Sequence, residues 1–229
     1  MLSFFAASSY LTDLDGKCQQ RGISNTKPLE ILPGFVPPEG LAALRVEISR
    51  IRSRANRRDI QMAESEGTWR RMSTIGGRVV SASSALIPAI YHDPQLLNFL
   101  SVLAGEKVST VPDPNENHVI NILHESGDLH GAHIDTYAYA FNIVVEAPPP
   151  DTGGGQLEVY FNVKSVAESK KIRPEIFALR PGDAYFLKTD TNLHRVRPIT
   201  GNRLRIVLNL AYANDETKNL ASYSSSQLY

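Results

Sequence analysis

Two histidines and an aspartate stand together in LHGAHIDTYAYAFNIVVEAP, residues 129–148, directly before a long run of β-forming residues. His133 and Asp135 are two residues apart. On an extended chain, side chains at i and i+2 project to the same side, so this imidazole and carboxylate can converge on one ion. Iron(II) is often held by two histidines and one carboxylate on one face, which leaves positions open for substrate and oxygen. The second histidine of such a set must come from a distant strand. His194, in DAYFLKTDTNLHRV, follows a predicted strand at 184–187. An H-x-D pair alone is a weak signal, because each of these residues reads equally well as a surface or hydrogen-bonded side chain. The order of what surrounds it has to decide.

The elements that would position these residues divide the chain near residue 107. The first part, 1–106, reads as mainly helical. In GLAALRVEISRIRSRANRRD (40–59), Leu41, Leu44, Ile48 and Ile51 fall on one face at a period of 3.6, and arginines cover the other. In HDPQLLNFLSVLAGEK (92–107), Asp93 is a helix cap, Pro94 suits the first turn, Leu97, Phe99, Leu100 and Leu103 supply the apolar side, and Gly105 is a stop. From 107 to 212, short apolar runs alternate with turn signals: HVINIL, YAFNIVVEA, QLEVYFN, EIFALR, DAYFL and LRIVLNLAYA, separated by APPPDTGGG, RPGD and ITGN. That pattern predicts short antiparallel strands closing into a sandwich, jelly roll or barrel. The tail, 213–229, is polar and open to disorder, although Tyr223 and Tyr229 could dock. The 229 residues suit one domain of α+β class with a single core.

Composition excludes several functions. Lys+Arg and Asp+Glu number 24 each, so the net charge is zero and there is no basic footprint for nucleic acid or a membrane surface. Cys18 is the one cysteine, which rules out an intrachain disulfide and a thiolate zinc cage. MLSFFAASSYLTDLD lacks the basic start of a signal peptide, and no apolar run is long enough to span a bilayer. The expectation is a soluble cytoplasmic protein.

The succession H-x-D, GGGQLEVY, LRPGDAYFL, His194 and RPITGNRLRIVLNL resembles the Fe(II)/2-oxoglutarate dioxygenase superfamily over residues 118–212. The resemblance implies a double-stranded β-helix (a cupin-like jelly roll) with flanking N-terminal helices. It implies Fe(II) on His133, Asp135 and His194, 2-oxoglutarate as cofactor and O2 as co-substrate. Arg203, nine residues after His194, is placed to form a bidentate pair with the distal carboxylate of 2-oxoglutarate, a geometry that suits a guanidinium. Arg205, two positions on, competes for that role.

RRMSTIGGRVV, YHDPQLLNFLSVLAGEKV, HESGDLHGAHID and RIVLNLAYAN narrow the resemblance to a branch acting on free amino acids, which contains radical halogenases, including lysine halogenases, and hydroxylating relatives. By this resemblance Arg70 and His130 grip the substrate carboxylate, Glu116 binds the substrate amine, and Asn209 faces the site from the last strand. For Arg70 the competing reading is a salt bridge to a core acid. For His130 it is support of the metal ligands, and for Glu116 a solvated charge. Halogenases of the branch carry glycine in place of the metal-binding carboxylate, and here Asp135 is present. Thr136 and Ala211 stand where lysine-acting members carry an acid and a hydroxyl residue. The implied reaction is hydroxylation of an unactivated C–H in a small free amino acid, shorter or less basic than lysine, or in an amino-acid-derived metabolite, with release of succinate and CO2. Desaturation or oxidative cyclisation on the same cofactors, a cupin-like metalloenzyme without 2-oxoglutarate, action on a protein side chain and a non-catalytic jelly-roll binding protein are the competing readings.

Overall fold

A computed structural model describes residues 27–222 and 225–229. Cys18, the mildly apolar start and Tyr223 lie outside the described residues. In chain order the strands are β1 (Leu29–Leu32), β2 (Asn56–Met62), β3 (Thr68–Ile75), β4 (Ser109–Thr110), β5 (His118–Leu123), β6 (Leu129–His133), β7 (Tyr139–Glu146), β8 (Leu157–Tyr160), β9 (Glu175–Phe177), β10 (Ala184–Lys188), β11 (Leu193–Val196) and β12 (Arg205–Ala213). The helices are α1 (Pro38–Ile51), α2 (Gly77–Ser83), α3 (Leu86–Tyr91), α4 (Pro94–Ala104), α5 (Val166–Ser169) and α6 (Ser225–Leu228). The strands form one 12-stranded sheet in the order β1-β10-β7-β12-β5-β3-β6-β11-β8-β9, with β2 added to β3 and β4 to β12. The sheet is antiparallel throughout and curls into the expected jelly roll.

The period of two along each strand separates helix-facing from site-facing side chains. On one face, Ile120, Ile122, Phe141, Ile143, Leu208 and Leu210 pack with Leu44 and Ile48 of α1 and with Phe99 and Leu100 of α4. Each such burial is worth roughly 1.5–3 kcal/mol, which makes this the main core. The opposite face carries Asn142, Tyr185, Arg205 and Asn209, beside a smaller cluster of Val144, Leu157, Val159, Leu187 and Val207.

α4 matches its sequence signals. The Asp93 carboxylate accepts from the N–H groups of Gln95 (2.8 Å) and Leu96 (3.2 Å), and Gly105 closes the helix at φ 68. Asp93→Ala should cost about 1 kcal/mol and lower the melting temperature by about 2–4 °C, measurable by thermal circular dichroism.

The first 106 residues depart from a mainly helical reading. α1 ends at Ile51, and Asn56–Asp59, expected to continue that helix, instead begin β2. The reason is long-range pairing: β2 and β3 form a hairpin in register from Asn56↔Thr74 to Met62↔Thr68. β3 is then inserted into the main sheet between β5 and β6. β1 also joins that sheet, against β10. No helix among the described residues is long and apolar enough to cross a membrane.

Candidate active site

β6 and β11 run antiparallel, with His133 directly opposite His194. Both are largely buried, and their rings lie 4.3 Å apart between centroids. The register shifts between His194 and Val196, so that Val196 opposes His130. Asp135 follows the end of β6, and its N–H donates to the Thr189 carbonyl at 3.1 Å. That bond turns the chain so that the carboxylate faces both imidazoles, at 3.4 Å from His133 Nε2 and 3.9 Å from His194 Nε2. The three candidate ligand atoms lie within 4.8 Å of one another.

The tautomers are set by the backbone. His133 Nδ1 lies 2.8 Å from the Gly131 carbonyl, and His194 Nδ1 lies 3.0 Å from the Asn192 carbonyl. A carbonyl only accepts, so each Nδ1 carries the proton and each Nε2 lone pair is left for a cation. Burial, then the neighbouring His130, His194 and Arg70, hold the His133 imidazole well below its ordinary range, so it is neutral. Burial, helped by the nearby charge of Asp190, holds the Asp135 carboxyl above the usual carboxylate range, while His194, Thr189 and Arg70 act the other way. A divalent cation would remove that penalty, and the donor set fits iron(II).

Gly131 shows why this motif needs glycine. A Cβ there would lie 2.5 Å from the Trp69 carbonyl of the adjacent β3. That close approach brings Arg70 on β3 opposite His130 on β6. Arg70 is 2% exposed. It donates to Thr68 Oγ1 (2.9 Å), the Trp69 carbonyl (3.3 Å) and Ser65 Oγ (3.0 Å), while its Nε has no partner. These acceptors are all neutral. Burial pulls its pKa down to about 10, despite the fields of Asp135, Tyr229 and Glu64. The salt bridge to a core acid is therefore not what occupies Arg70 among the described residues. The His130 ring stacks on His133 at 4.2 Å, and burial followed by Arg70 keeps it well below its ordinary pKa.

Arg70, His130, His133, Asp135, Thr136, Glu116 and Asn209 line one cavity of about 150 Å³, with Ala211 also in its wall. Glu116 accepts a hydrogen bond from Ser222. Arg203 does not reach this site. It is exposed, in the turn before β12, where its N–H donates to the Gly201 carbonyl. Arg205 is the inward residue, 4% exposed and hydrogen-bonded to buried Tyr185. The two arginines do not share a strand face because β12 begins only at Arg205. Arg205 lines a narrow neighbouring cavity with Val144, Gly155 and Leu157. Its charge reaches His130, and that of Asp135 reaches Tyr185, so the two cavities lie within electrostatic range of each other.

Several site residues escape a reading of sequence. Tyr185 and Asn142 sit beside Asn209 in a row across β10, β7 and β12, at Tyr185↔Asn142 and Asn142↔Asn209. Strict alternation along DAYFL and YAFNIVVEA could have found them. Ser65 and Leu228 have no such signal, and the aromatic ring of Tyr229 suggests docking of the tail but not where. Tyr229 lines the cavity from the far end of the chain, and the Leu228 carbonyl accepts from Arg58 Nε (3.0 Å) and Thr74 Oγ1 (2.8 Å). The tail is thus docked.

Solved structures share this fold. The non-haem α-ketoglutarate-dependent epimerase SnoN from nogalamycin biosynthesis superposes with a TM-score of 0.64 at 12% identity, covering 90% of this chain and 84% of that one. A prolyl hydroxylase from Trichoplax adhaerens gives 0.62 at 15% identity, covering 93% and 96%. HygX from Streptomyces hygroscopicus, solved with nickel and 2-oxoglutarate, gives 0.59 at 12%, covering 83% and 84%. No curated protein sequence matches the chain. The architecture is that of the 2-oxoglutarate- and Fe(II)-dependent oxygenases, and their cofactors suit the His133, Asp135 and His194 donors. A family model described as Halogenase D matches residues 19–228, nearly the whole chain, and the protein therefore belongs to the halogenase D family of this oxygenase fold.

Proposed function

We propose that this enzyme hydroxylates an unactivated C–H of a small free amino acid, with 2-oxoglutarate as co-substrate and succinate and CO2 as co-products. One observation carries the reading. Two buried arginines, Arg70 and Arg205, flank the histidine–aspartate cluster, and neither has a carboxylate partner among the described residues. A buried cation without a counter-ion is costly, so each is a receptor for an anion brought by a ligand. 2-Oxoglutarate brings one distal carboxylate and an amino acid brings another.

Iron(II), held by His133 Nε2, His194 Nε2 and the Asp135 carboxylate, supplies oxygen activation and C–H oxidation when bound. The chain supplies orientation. Arg205 and the Tyr185 hydroxyl take the distal carboxylate of 2-oxoglutarate, and the guanidinium offers a planar fork for it. Arg70 takes the substrate carboxylate, with neutral His130 beside it. Glu116 and Asn209 receive the substrate ammonium. Thr136 and Ala211 bound the side-chain end of the cavity without a charge, which favours an uncharged, aliphatic substrate over lysine. Leu228 and Tyr229 close the cavity against water. Asp135 fills the position that a halogenase leaves open, so the reading is oxygenation despite the family's description. A carboxylate receptor at a buried arginine also disfavours a residue within a protein chain, whose carboxyl is tied up in a peptide bond.

The test is anaerobic loading with iron(II) and 2-oxoglutarate, followed by air and a panel of free amino acids. The expected results are a metal-to-ligand charge-transfer band, amino-acid-dependent succinate, and a product heavier by one oxygen atom. Absence of the band would sink the reading, as would a chlorinated product in chloride buffer. Arg70→Met should raise the half-saturating amino acid concentration about 10- to 100-fold, the worth of lost hydrogen bonds to a charged group, and leave that of 2-oxoglutarate unmoved. Steady-state kinetics with each ligand varied in turn measures this.

A further inference from the structure

Glu66 is exposed, lies at the tip of the β2–β3 hairpin, and lines no part of the cavity. Its backbone is left-handed, at φ 52. Such a conformation is strained for a residue with a side chain, and a turn free to choose would carry glycine or asparagine there. Gly67, next along, is left-handed at φ 77 and meets that need. A glutamate held in this conformation must be held by something.

What holds it lies 100 residues away. One Glu66 carboxylate oxygen accepts from the Val166 N–H at 2.8 Å, and the other from the Ala167 N–H at 3.1 Å. These N–H groups open α5 and have no partner within that helix. A carboxylate accepting two backbone N–H groups is a charge-assisted clamp. On the hairpin side the clamp fixes the turn Ala63–Ser65, whose Ser65 hydroxyl accepts from Arg70 and whose Glu64 and Ser65 line the cavity. On the other side, the segment before α5 supports β11. The Leu193 N–H donates to the Val163 carbonyl at 2.7 Å, and the Asn162 N–H donates to Asn192 Oδ1 at 2.9 Å. Asn192 is the residue whose carbonyl orients His194.

We infer that Glu66 is a positioning residue for substrate binding: its clamp ties the hairpin that holds Arg70 to the segment that supports His194. It sets the distance between the substrate carboxylate and the metal cluster without touching either. The inference rests on Arg70 being the substrate-carboxylate receptor.

Two variants test it, Glu66→Ala and Glu66→Gln, the latter keeping one acceptor oxygen at full length. In the iron(II)/2-oxoglutarate-loaded enzyme, Glu66→Ala should raise the half-saturating amino acid concentration about tenfold. Glu66→Gln should fall between Glu66→Ala and wild type. Half-saturation by 2-oxoglutarate should stay within about twofold, since Arg205 and Tyr185 lie on other strands. A second readout needs no substrate. Phenylglyoxal labelling of Arg70, followed by peptide mass spectrometry, should be faster in Glu66→Ala, because Ser65 no longer holds the guanidinium. Unchanged labelling overturns the inference. So does faster labelling with an unmoved amino acid half-saturation, or an equal shift for 2-oxoglutarate, which would mark general loosening. If Arg70→Met leaves amino acid half-saturation unmoved, the receptor assignment fails instead, and the labelling still decides whether the clamp exists.

Discussion

Replacing Arg205 by methionine is expected to raise the half-saturating concentration of 2-oxoglutarate by about two orders of magnitude or more, while Arg203→Met leaves it within about twofold. Arg205 is enclosed, and its one described partner is the Tyr185 hydroxyl. Deleting one side of a buried charge pair costs about 2–5 kcal/mol, which is the source of the magnitude. Arg203 faces solvent before β12 begins and lines neither cavity. The same substitution should not weaken the ligand-free fold. It removes an uncompensated buried cation, at the expense of one hydrogen bond to Tyr185, so the melting temperature without ligands should hold or rise. Loss of binding together with preserved stability is the signature of a residue kept for its ligand. Titration of the charge-transfer band and thermal melting measure the two halves. A shift with Arg203→Met and none with Arg205→Met would reverse the assignment.

The choice between these arginines shows where sequence was legible and where it was not. Counting from His194 reaches both, and only the first residue of β12 decides which one turns inward. That boundary depends on the Thr200–Leu204 turn, where backbone bonds compete closely and pattern says little. β5, β7, β10 and β12 were readable because each is a short, almost wholly buried apolar run with few polar groups, set off by turn signals. β6 and β11 are short and hold the histidines, so the residues that make the site also erase the pattern that would reveal its strands. β2 and β3 were obscured differently. Asn56–Asp59 continue the arginine-rich run of α1, and only pairing with β3 makes them a strand. Arg70 could be named as a candidate from WRRM, but its want of a counter-ion is a fact of three dimensions. The same holds for Tyr229, whose place in the cavity wall depends on Arg58 and Thr74 gripping Leu228 across more than half the chain.

Asp135→Ala should lower metal affinity by more than about a hundredfold and abolish turnover, since even changes behind the ligands of a metal site cost about 10- to 100-fold. Asp135 contributes the only formal negative charge of the three ligand side chains, the two imidazoles being presented through Nε2 with Nδ1 spent on carbonyls. Without the carboxylate, a dication would enter a cavity already bearing the fields of Arg70 and Arg205, with two neutral donors to hold it. Stability measures this independently of turnover. Nickel(II) and 2-oxoglutarate at about 100 times their dissociation constants should stabilise the wild type by about 2.7 kcal/mol for each binding step. One such step corresponds to a melting shift of about 5–10 °C for a chain of this size. In Asp135→Ala the metal-dependent shift should vanish, while the ligand-free melting temperature stays near that of wild type, because desolvation of the carboxyl offsets its hydrogen bond to Thr189 and its attraction to His194. Retention of the shift in Asp135→Ala would mean that the convergence of His133, Asp135 and His194 is a consequence of strand pairing and not a metal site. Loss of the shift with persistent succinate formation would place the metal elsewhere, and the two buried arginines would then need a different explanation.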